Sequence, residues 1–120
     1  MSTITVTNIK ATGETASRDT SGVAGAYGYF NQTTGAAAGY SQNISSYTDV
    51  SAGKADYNFT NAFSNNDYLK AGISSSSNDW MSWSTSTSLT TSSTARMQNR
   101  EEGTGLTDAV NQVIFHGDLA

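Results

Sequence analysis

The segment from Ala55 to Phe63 alternates between apolar and polar side chains, and no other feature of the sequence constrains the fold as strongly. In an extended strand, successive side chains point to opposite faces of the sheet. One face of this segment would carry Ala55, Tyr57, Phe59 and Phe63, and Asn61 is the polar exception on that face. The other face would carry Asp56, Asn58 and Thr60. Such alternation is typical of an antiparallel strand with one face on a hydrophobic core and the other in solvent.

Short strands of the same period recur along the chain. They are predicted from Ala26, with Tyr27 and Tyr29 opposite Phe30; over Tyr40–Val50, with Ile44, Thr48 and Val50 in phase; around Tyr68–Ile73; and from Met81 through Trp83 to Leu89. A polar loop is predicted at 74–79 and a charged loop or hairpin tip at 96–105. Roughly seven or eight short strands at regular spacing indicate an all-β chain, folded as an antiparallel β-sandwich of jelly-roll type.

The C-terminal stretch fits two structures. Leu106, Ala109, Val110 and Val113 have helical spacing, and Thr107 stands where a helix would be capped. Residues 113–115 equally suit a closing strand. Among so many predicted strands, we favour the strand.

The amino-acid composition raises the alternative of a disordered chain. Ser, Thr, Gly and Asn make up nearly half of the 120 residues, and only 36% of residues are hydrophobic. Disordered proteins combine low hydrophobicity with high net charge, abundant Pro and few aromatic residues. This chain has 13% charged residues, no Pro and 10% aromatic residues, and the aromatic residues fall in patterned segments. The composition therefore fits the polar faces and turns of a β-sandwich better than it fits disorder.

Residues 1–25 differ from the rest and are predicted to form a short extended arm. Ile4 and Val6 share one face of a short strand that Ile9 extends, but the residues that follow have no periodicity. These apolar side chains are too few to form a core, so we expect them to anchor the chain in an assembly or on a partner. The predicted organisation is an anchoring arm or stalk followed by a β-sandwich head over 26–120. The opening residues are too polar for the apolar region of a signal peptide.

The residues available for chemistry argue against an enzyme. The chain has no Cys, which excludes disulfides, thiolate metal sites and cysteine nucleophiles. His116 is the only histidine, and no Gly-x-Ser-x-Gly motif accompanies it, so an exposed side chain after the last strand is the simpler interpretation. Glu101 and Glu102 lie beside Arg96 and Arg100, which favours a solvated cluster over an acid–base pair. We predict no catalytic residues, no metal site and no cofactor.

Charge and hydropathy exclude two further classes of partner. The formal net charge is −4, whereas a nucleic-acid-binding domain normally carries a basic patch. No apolar run approaches the roughly 20 residues that span a bilayer as a helix. We therefore predict neither nucleic-acid binding nor membrane insertion.

Binding is better supported than catalysis. Asn78, Asp79 and Trp80 follow a run of serines, with Trp83 close behind, and this mixture of polar groups and indole rings suits stacking on sugar rings. We predict a glycan or receptor contact there. The alternative is that Trp83 belongs to the core and Trp80 covers its edge.

The tyrosines and the small core point to self-association. Each tyrosine combines apolar area with a polar tip, so a place in the core or in a subunit interface is expected. They are Tyr27, Tyr29, Tyr40, Tyr47, Tyr57 and Tyr68. A core with few Leu, Ile or Val has little apolar surface to offset the entropy of folding, roughly 1–2 kcal/mol per backbone residue. Small scaffolds often compensate by oligomerising, so we predict a homo-oligomer.

Three blocks of sequence carry a resemblance to a known family. They are Y-F-N with T-T-G at 29–35, S-Q-N-I-S-S-Y-T-D at 41–49, and A-D-Y-N-F-T-N-A-F at 55–63. Together they resemble a segment of tail-fibre and other virion proteins of marine bacteriophages. In that family, F-N-G-T-G is followed by S-F-N-V-S-S-I-T-D and then by G-D-Y-T-V-N-F-T-x-A-M, and the third block of this chain is two residues shorter than its counterpart.

The resemblance covers residues 27–69 well, the two ends loosely and 70–105 hardly at all. Asn66–Tyr68 is similar to the turn that follows the third block, the closing Val110–Phe115 to the family's last strand, and the opening Ser2–Ile9 to its short leader. Two residues depart from the pattern. Gln32 stands where the family favours Gly, and Ser64 where a Pro is usual.

The resemblance implies a β-sandwich head on a virion protein, commonly trimeric, whose N-terminus is attached to the particle. We therefore predict a bacteriophage structural protein, a small fibre, knob or decoration subunit, made in the host cytoplasm and located in the virion. Its partners would be further copies of the chain, other virion proteins and a host surface glycan. The resemblance does not distinguish tail, neck and capsid.

Two other functions compete with this one. A free carbohydrate-binding, lectin-like β-sandwich would use the region around Trp80 and Trp83. A β-pore-forming toxin is suggested by the Ser/Thr alternation over 82–91, but its lipid-facing row would be limited to Met81, Trp83 and Leu89. The toxin therefore ranks last.

Overall fold

The computed structural model describes residues 6, 8–9, 18–19, 23–37, 40–74, 79–84, 89–103 and 105–120. Within these ranges the chain forms β-strands and no helix. The strands are β1 (Asn8–Ile9), β2 (Arg18–Asp19), β3 (Ala26–Asn31), β4 (Ala36–Ala37), β5 (Ile44–Ser51), β6 (Lys54–Phe59), β7 (Leu69–Ser74), β8 (Asp79–Trp83), β9 (Thr94–Glu101), β10 (Gly105–Leu106) and β11 (Val110–His116). The chain is all-β, as the alternating segments predict.

Two antiparallel sheets pack against each other and form the predicted β-sandwich. In the five-stranded sheet, β9 lies between β6 and β8, β5 pairs with the far side of β6, and β10 pairs with the end of β9. The four-stranded sheet has the order β4-β3-β11-β7. β1 and β2 form a separate two-stranded ladder. The C-terminal segment is the strand β11, paired with β3 on one side and β7 on the other, so the strand interpretation is confirmed.

The core is built by the inward side chains of both sheets. Ala55, Tyr57, Phe59 and Phe63, the row predicted to face inward, are all buried. Phe115 of β11 lies at the centre, with ring centroids 5.9 Å from Tyr57, 5.0 Å from Phe59, 6.0 Å from Tyr68 and 5.3 Å from Trp83. Aromatic rings in tilted and edge contacts therefore fill most of a core to which the sequence contributes few aliphatic side chains.

Two glycines of the four-stranded sheet make room for large side chains of the other sheet. The Tyr47 hydroxyl occupies the place that a Cβ at Gly28 would need. A Cβ at Gly72 would lie 2.6 Å from the Met81 sulfur. Tyr47 also stacks on Phe30, with centroids 4.9 Å apart. The sheets therefore interlock, with a glycine on one sheet opposite a long side chain on the other.

The predicted phase of the strand over Tyr40–Val50, which is β5 in the structure, is wrong. Ile44, Thr48 and Val50 were expected on one face, but Ile44 and Tyr47 pack against the core while Thr48 and Val50 are exposed. The cause is an irregularity in β5 between residues 44 and 46, where Ile44 pairs with Phe59 but Ser46 already pairs with Asn58. Such a bulge adds one residue and shifts the following side chains to the other face.

The predicted charged loop at 96–105 is also wrong. Thr94–Glu101 is the long strand β9, and the chain turns after it, at 102–103. Ala95, Met97 and Asn99 are buried, whereas Arg96, Gln98 and Arg100 point outward. The alternation is present in the sequence, but the inward row contains a small residue and an amide, so its apolar character is weak. The strand predicted through Leu89 ends at Trp83, and residues 85–88 lie outside the described ranges.

A cluster of buried amides connects the two sheets. The Oε1 atom of Gln32, which follows β3, accepts hydrogen bonds from Asn99 Nδ2 of β9 at 2.9 Å and from Asn111 Nδ2 of β11 at 3.2 Å. Asn99 and Asn111 are completely buried and Gln32 is 3% exposed. Because β9 and β11 belong to different sheets, the Gln32 carbonyl fixes how the sheets meet at this end of the sandwich.

Candidate functional site

The two tryptophans of the predicted glycan contact lie on opposite faces of the five-stranded sheet. They are three positions apart along β8, and an odd spacing in a strand places side chains on opposite sides. Trp83 pairs with Met97 and packs against the core. Trp80 pairs with Arg100 and is 50% exposed. A single site containing both indoles is therefore wrong. Trp83 packs against the core, as the alternative interpretation holds, but Trp80 lies on the opposite face and does not cover its edge.

The other sequence-predicted site residues are only partly described. Asn78 and Ile4 lie outside the described residues. Asp79 begins β8 opposite Glu101 of β9, and Ile9 pairs with Arg18 in the small N-terminal ladder. Val6 is 49% exposed. The division into an arm and a head stays a prediction, although β3 begins at Ala26, where the head was predicted to begin.

Trp80 belongs to a surface that we call the polar face, the outer side of the five-stranded sheet. Its outward side chains include Ser46, Thr48, Lys54, Asp56, Asn58, Trp80, Ser82, Thr94, Arg96, Gln98 and Arg100. Arg96 donates to Asp56 through Nε and Nη2, each at 2.6 Å from a carboxylate oxygen. The hydrogen bonds to Asp56 raise the pKa of Arg96.

Amide and hydroxyl groups continue the polar face across the sheet. Asn58 Nδ2 donates to Ser46 Oγ at 3.0 Å and to Thr48 Oγ1 at 3.2 Å, and its Oδ1 accepts from Thr94 Oγ1 at 3.2 Å. These bonds order the surface groups in rows across neighbouring strands. This network pairs with Thr94, six residues along β9 from Arg100, so it lies apart from Trp80. The exposed Trp80 indole, directly opposite Arg100, is chemically suited to stack on the apolar side of a sugar ring while the guanidinium donates to its hydroxyls.

The outer side of the four-stranded sheet is very different, and we call it the apolar face. Its outward side chains are Tyr27, Tyr29, Leu69, Ala71, Ile73, Gln112 and Ile114, with Asn31, Val110 and His116 at the strand ends. Leu69 and Ile73 are each 63% exposed, Tyr27 is 40% exposed and Ile114 is 37% exposed. None of the seven side chains of the apolar face carries a formal charge.

The pairing of β3, β11 and β7 arranges the apolar face in rows. Ile114 lies between Tyr27 and Ala71, and Gln112 lies between Tyr29 and Ile73. A shallow cavity of about 450 Å³ runs along these rows, from Tyr27 to Ile73. The face is therefore continuous across three strands.

Tyr40 forms a wall at one side of the apolar face. It is 82% exposed and lines a second cavity of about 310 Å³ with Tyr27, Tyr29 and Gln112. Its position follows from a short antiparallel contact in which Tyr27 and Gln42 exchange backbone hydrogen bonds of 3.1 and 2.9 Å. Three tyrosines and one amide thus surround a concave surface, with hydroxyls that both donate and accept.

Of the predicted tyrosine positions, Tyr57 and Tyr68 are buried in the core and Tyr47 packs against it. Tyr27, Tyr29 and Tyr40 instead lie on or beside the apolar face, and their place in a subunit interface stays a prediction. The sequence did contain a signal for this face. Residues 113–115, Val-Ile-Phe, are a continuous apolar run, which is typical of a strand covered on both sides.

The described ranges contain no group of three or more residues suited to hold a metal ion. His116 ends β11 opposite Leu69. The same part of the chain contains no helix with the length and apolar character needed to cross a lipid bilayer.

Comparison of the chain with protein-family models, with curated proteins and with solved structures finds no match. The resemblance to virion proteins of marine bacteriophages therefore stays a prediction that rests on the three sequence blocks. In the structure these blocks form β3 with its following turn, β5 and β6, so they contribute strands to both sheets.

Proposed function

We propose that the chain is a structural subunit of a bacteriophage virion, a small fibre, knob or decoration protein that works by assembly and adhesion without turnover. The apolar face carries this proposal. Continuous apolar patches on the surface of soluble proteins often mark contacts with other macromolecules, and on this face Leu69 and Ile73 are each nearly two thirds exposed. The three sequence blocks supply the virion context, because they resemble virion proteins in both pattern and order.

In this role, the chain would contact further copies of itself, three in number as the resemblance implies, and proteins of the tail, neck or capsid. Residues 1–25 would attach the subunit to the particle, with Ile4, Val6 and Ile9 as the anchoring side chains. The chain would be made in the host cytoplasm and would act in the virion. The sandwich would then project from the particle and display its polar face.

Electron microscopy of phage particles labelled with an antibody to this chain tests the virion role, since it gives location and copy number together. Particles without the protein would contradict the proposal. Deletion of residues 2–25 tests the arm separately. We expect the shortened chain to keep the circular dichroism spectrum of a folded β-sandwich but to be missing from particles. Incorporation at the normal copy number would rule out the anchoring role of the arm.

The exposed indole of Trp80 favours a second candidate, a lectin-like domain that binds glycans through the polar face. Here the full-length protein would bind a defined set of glycans on an array, and Trp80→Ala would abolish that binding. Val50→Ala, at an exposed position of β5 in the same sheet, is a control that should retain it. Unchanged binding by Trp80→Ala would exclude Trp80 as the contact, and the absence of any glycan signal would exclude the candidate.

A further inference from the structure

We propose that the apolar face is the surface through which copies of this chain contact one another. The inference rests on the assembly role proposed above and deepens it by naming the surface and the partner. It concerns the purified chain, so it can be tested without a phage particle.

The first observation is the exposure of aliphatic side chains in a continuous patch. Leu69 and Ile73 have nearly two thirds of their surface in solvent, and Ala71 lies between them on the same side of β7. Ile114 of β11 adjoins Ala71, and Tyr27 of β3 adjoins Ile114. Burying such a patch against another apolar surface is favourable because it removes the patch from water.

The second observation is the absence of charge from the seven side chains of the apolar face. The charged residue of β7, Lys70, points the other way, with Nζ 4.3 Å from the centre of the Tyr68 ring and bonded to the Tyr68 carbonyl at 3.3 Å. The chain as a whole carries a net charge of −4. A second copy that presents the same uncharged face adds no like-charge repulsion at the contact, whereas a strongly charged partner finds no counter-charge there.

The third observation is that the polar groups of the face are complementary to themselves. Tyrosine hydroxyls and the Gln112 amide both donate and accept hydrogen bonds, so the same groups on a second copy can satisfy them. Gln112 lies in the middle of the face, between Tyr29 and Ile73. A two-fold contact, in which two copies present the same patch to each other, requires this kind of self-complementarity.

The dimensions of the face indicate a reversible contact. Three strands spaced by about 4.8 Å, with a rise of about 3.4 Å per residue, outline a patch of about 300 Å² on each copy. Stable interfaces bury about 800 Å² per partner. We therefore expect association that depends on concentration, strengthened in a particle by contacts elsewhere on the chain.

Sedimentation velocity of the full-length chain between about 1 and about 200 µM tests the proposal, because this range brackets micromolar dissociation constants. We expect the mass to rise above the monomer value of 12.6 kDa towards a dimer or trimer. Ile73→Lys should weaken association by about tenfold or more, since it places an unpaired charge in the contact. Val50→Lys, an equivalent change on the other sheet, should leave association unchanged. Thermal melts of both variants establish that they are folded.

A second measurement tests the contact without placing a charge in it. Because the chain has no Cys, single Ile73→Cys and Val50→Cys variants each carry one thiol. Labelling by a maleimide should slow with rising protein concentration for Ile73→Cys, as copies cover the thiol, and should not slow for Val50→Cys. Equal labelling at all concentrations would overturn the proposal.

A wild-type chain that stays monomeric throughout the range, or equal effects of Ile73→Lys and Val50→Lys, would also overturn it. If the wild-type chain stays monomeric, the apolar face would instead bind a different protein or the chain's own N-terminal residues. Association that Ile73→Lys abolishes, in a protein absent from phage particles, would refute the virion role alone. Incorporation into particles by a chain that never self-associates would refute this inference alone.

Discussion

Arg96 and Asp56 lie directly opposite each other on β9 and β6, and two hydrogen bonds of 2.6 Å join the guanidinium to the two carboxylate oxygens. The side chains are only 19% and 15% exposed, although they lie on the outer face of the sheet. The planar guanidinium matches the carboxylate in this two-bond geometry, which gives the pair both strength and direction. The ion pair therefore supports the same register between β6 and β9 as the backbone ladder.

Removing the carboxylate should destabilise the sandwich. We expect Asp56→Ala to lower the free energy of unfolding by about 1–2 kcal/mol, more than a typical surface ion pair contributes, because the pair is largely shielded and Arg96 would lose both acceptors. Urea unfolding measures the change. Asp49→Ala, at an exposed position on β5, is the control and should change it by less than about 0.5 kcal/mol. A double-mutant cycle with Arg96→Ala isolates the coupling, and additive effects would show that the two groups act independently.

The period-two pattern predicted the fold class and most inward residues, because alternation follows directly from strand geometry. It did not predict the phase of β5, since the bulge after Ile44 depends on the pairing with Phe59 rather than on local residues. The strand character of Thr94–Glu101 was hidden by a buried amide at Asn99 that bonds to Gln32, 67 positions away. At the site, the odd spacing of Trp80 and Trp83 already indicated opposite faces. The apolar run at 113–115 indicated a strand that is apolar on both sides, but the extent of the apolar face depends on β3, β11 and β7 lying side by side.

Two buried tyrosines should respond oppositely to loss of their hydroxyls. Tyr57 is completely buried, and no hydrogen-bond partner for its hydroxyl lies in the described part of the chain. The Tyr68 hydroxyl lies 3.0 Å from the Thr91 carbonyl and 3.1 Å from that of Thr94. We expect Tyr57→Phe to be neutral or to stabilise by up to about 1 kcal/mol, and Tyr68→Phe to destabilise by about 1 kcal/mol. Thermal unfolding of the matched pair measures both, and a clear loss of stability in Tyr57→Phe would contradict the expectation.

Alkaline pH should unfold the protein through the same tyrosines. Burial raises the pKa of Tyr57 and of Tyr68 above the ordinary value near 10, and the neighbouring Tyr47 adds to the effect at Tyr57. The unfolded chain therefore loses these protons at lower pH than the folded chain. Their contribution to stability is complete below about pH 10 and is lost as the pH rises above it.

The measurement is the urea midpoint as a function of pH, from neutral pH to above pH 10. We expect a steep fall above about pH 10 that becomes shallower in Tyr57→Phe, which has one fewer buried group to ionise on unfolding. Tyr40→Phe removes a hydroxyl from a residue that is 82% exposed and is the control. An identical pH dependence for Tyr57→Phe and the wild type would show that Tyr57 does not contribute to the transition.

Substitution of Gln32 should destabilise the sandwich, because its side chain joins the two sheets. Its carbonyl oxygen accepts hydrogen bonds from Asn99 and Asn111, and both of these amides are completely buried. Gln32→Met keeps the length of the side chain but removes the acceptor. The buried Asn99 Nδ2 donor is then left without the acceptor it had in Gln32. A buried donor without a partner costs about 1–3 kcal/mol. The substitution also removes the buried Gln32 Nε2, which has no partner in the described part of the chain, so we expect a net loss of about 1 kcal/mol in the free energy of unfolding. Gln98→Met, at an outward position on β9, should cost less than about 0.5 kcal/mol in the same urea titration. If the two variants lost equal stability, the amide cluster would not be what holds β9 and β11 together at this end of the sandwich.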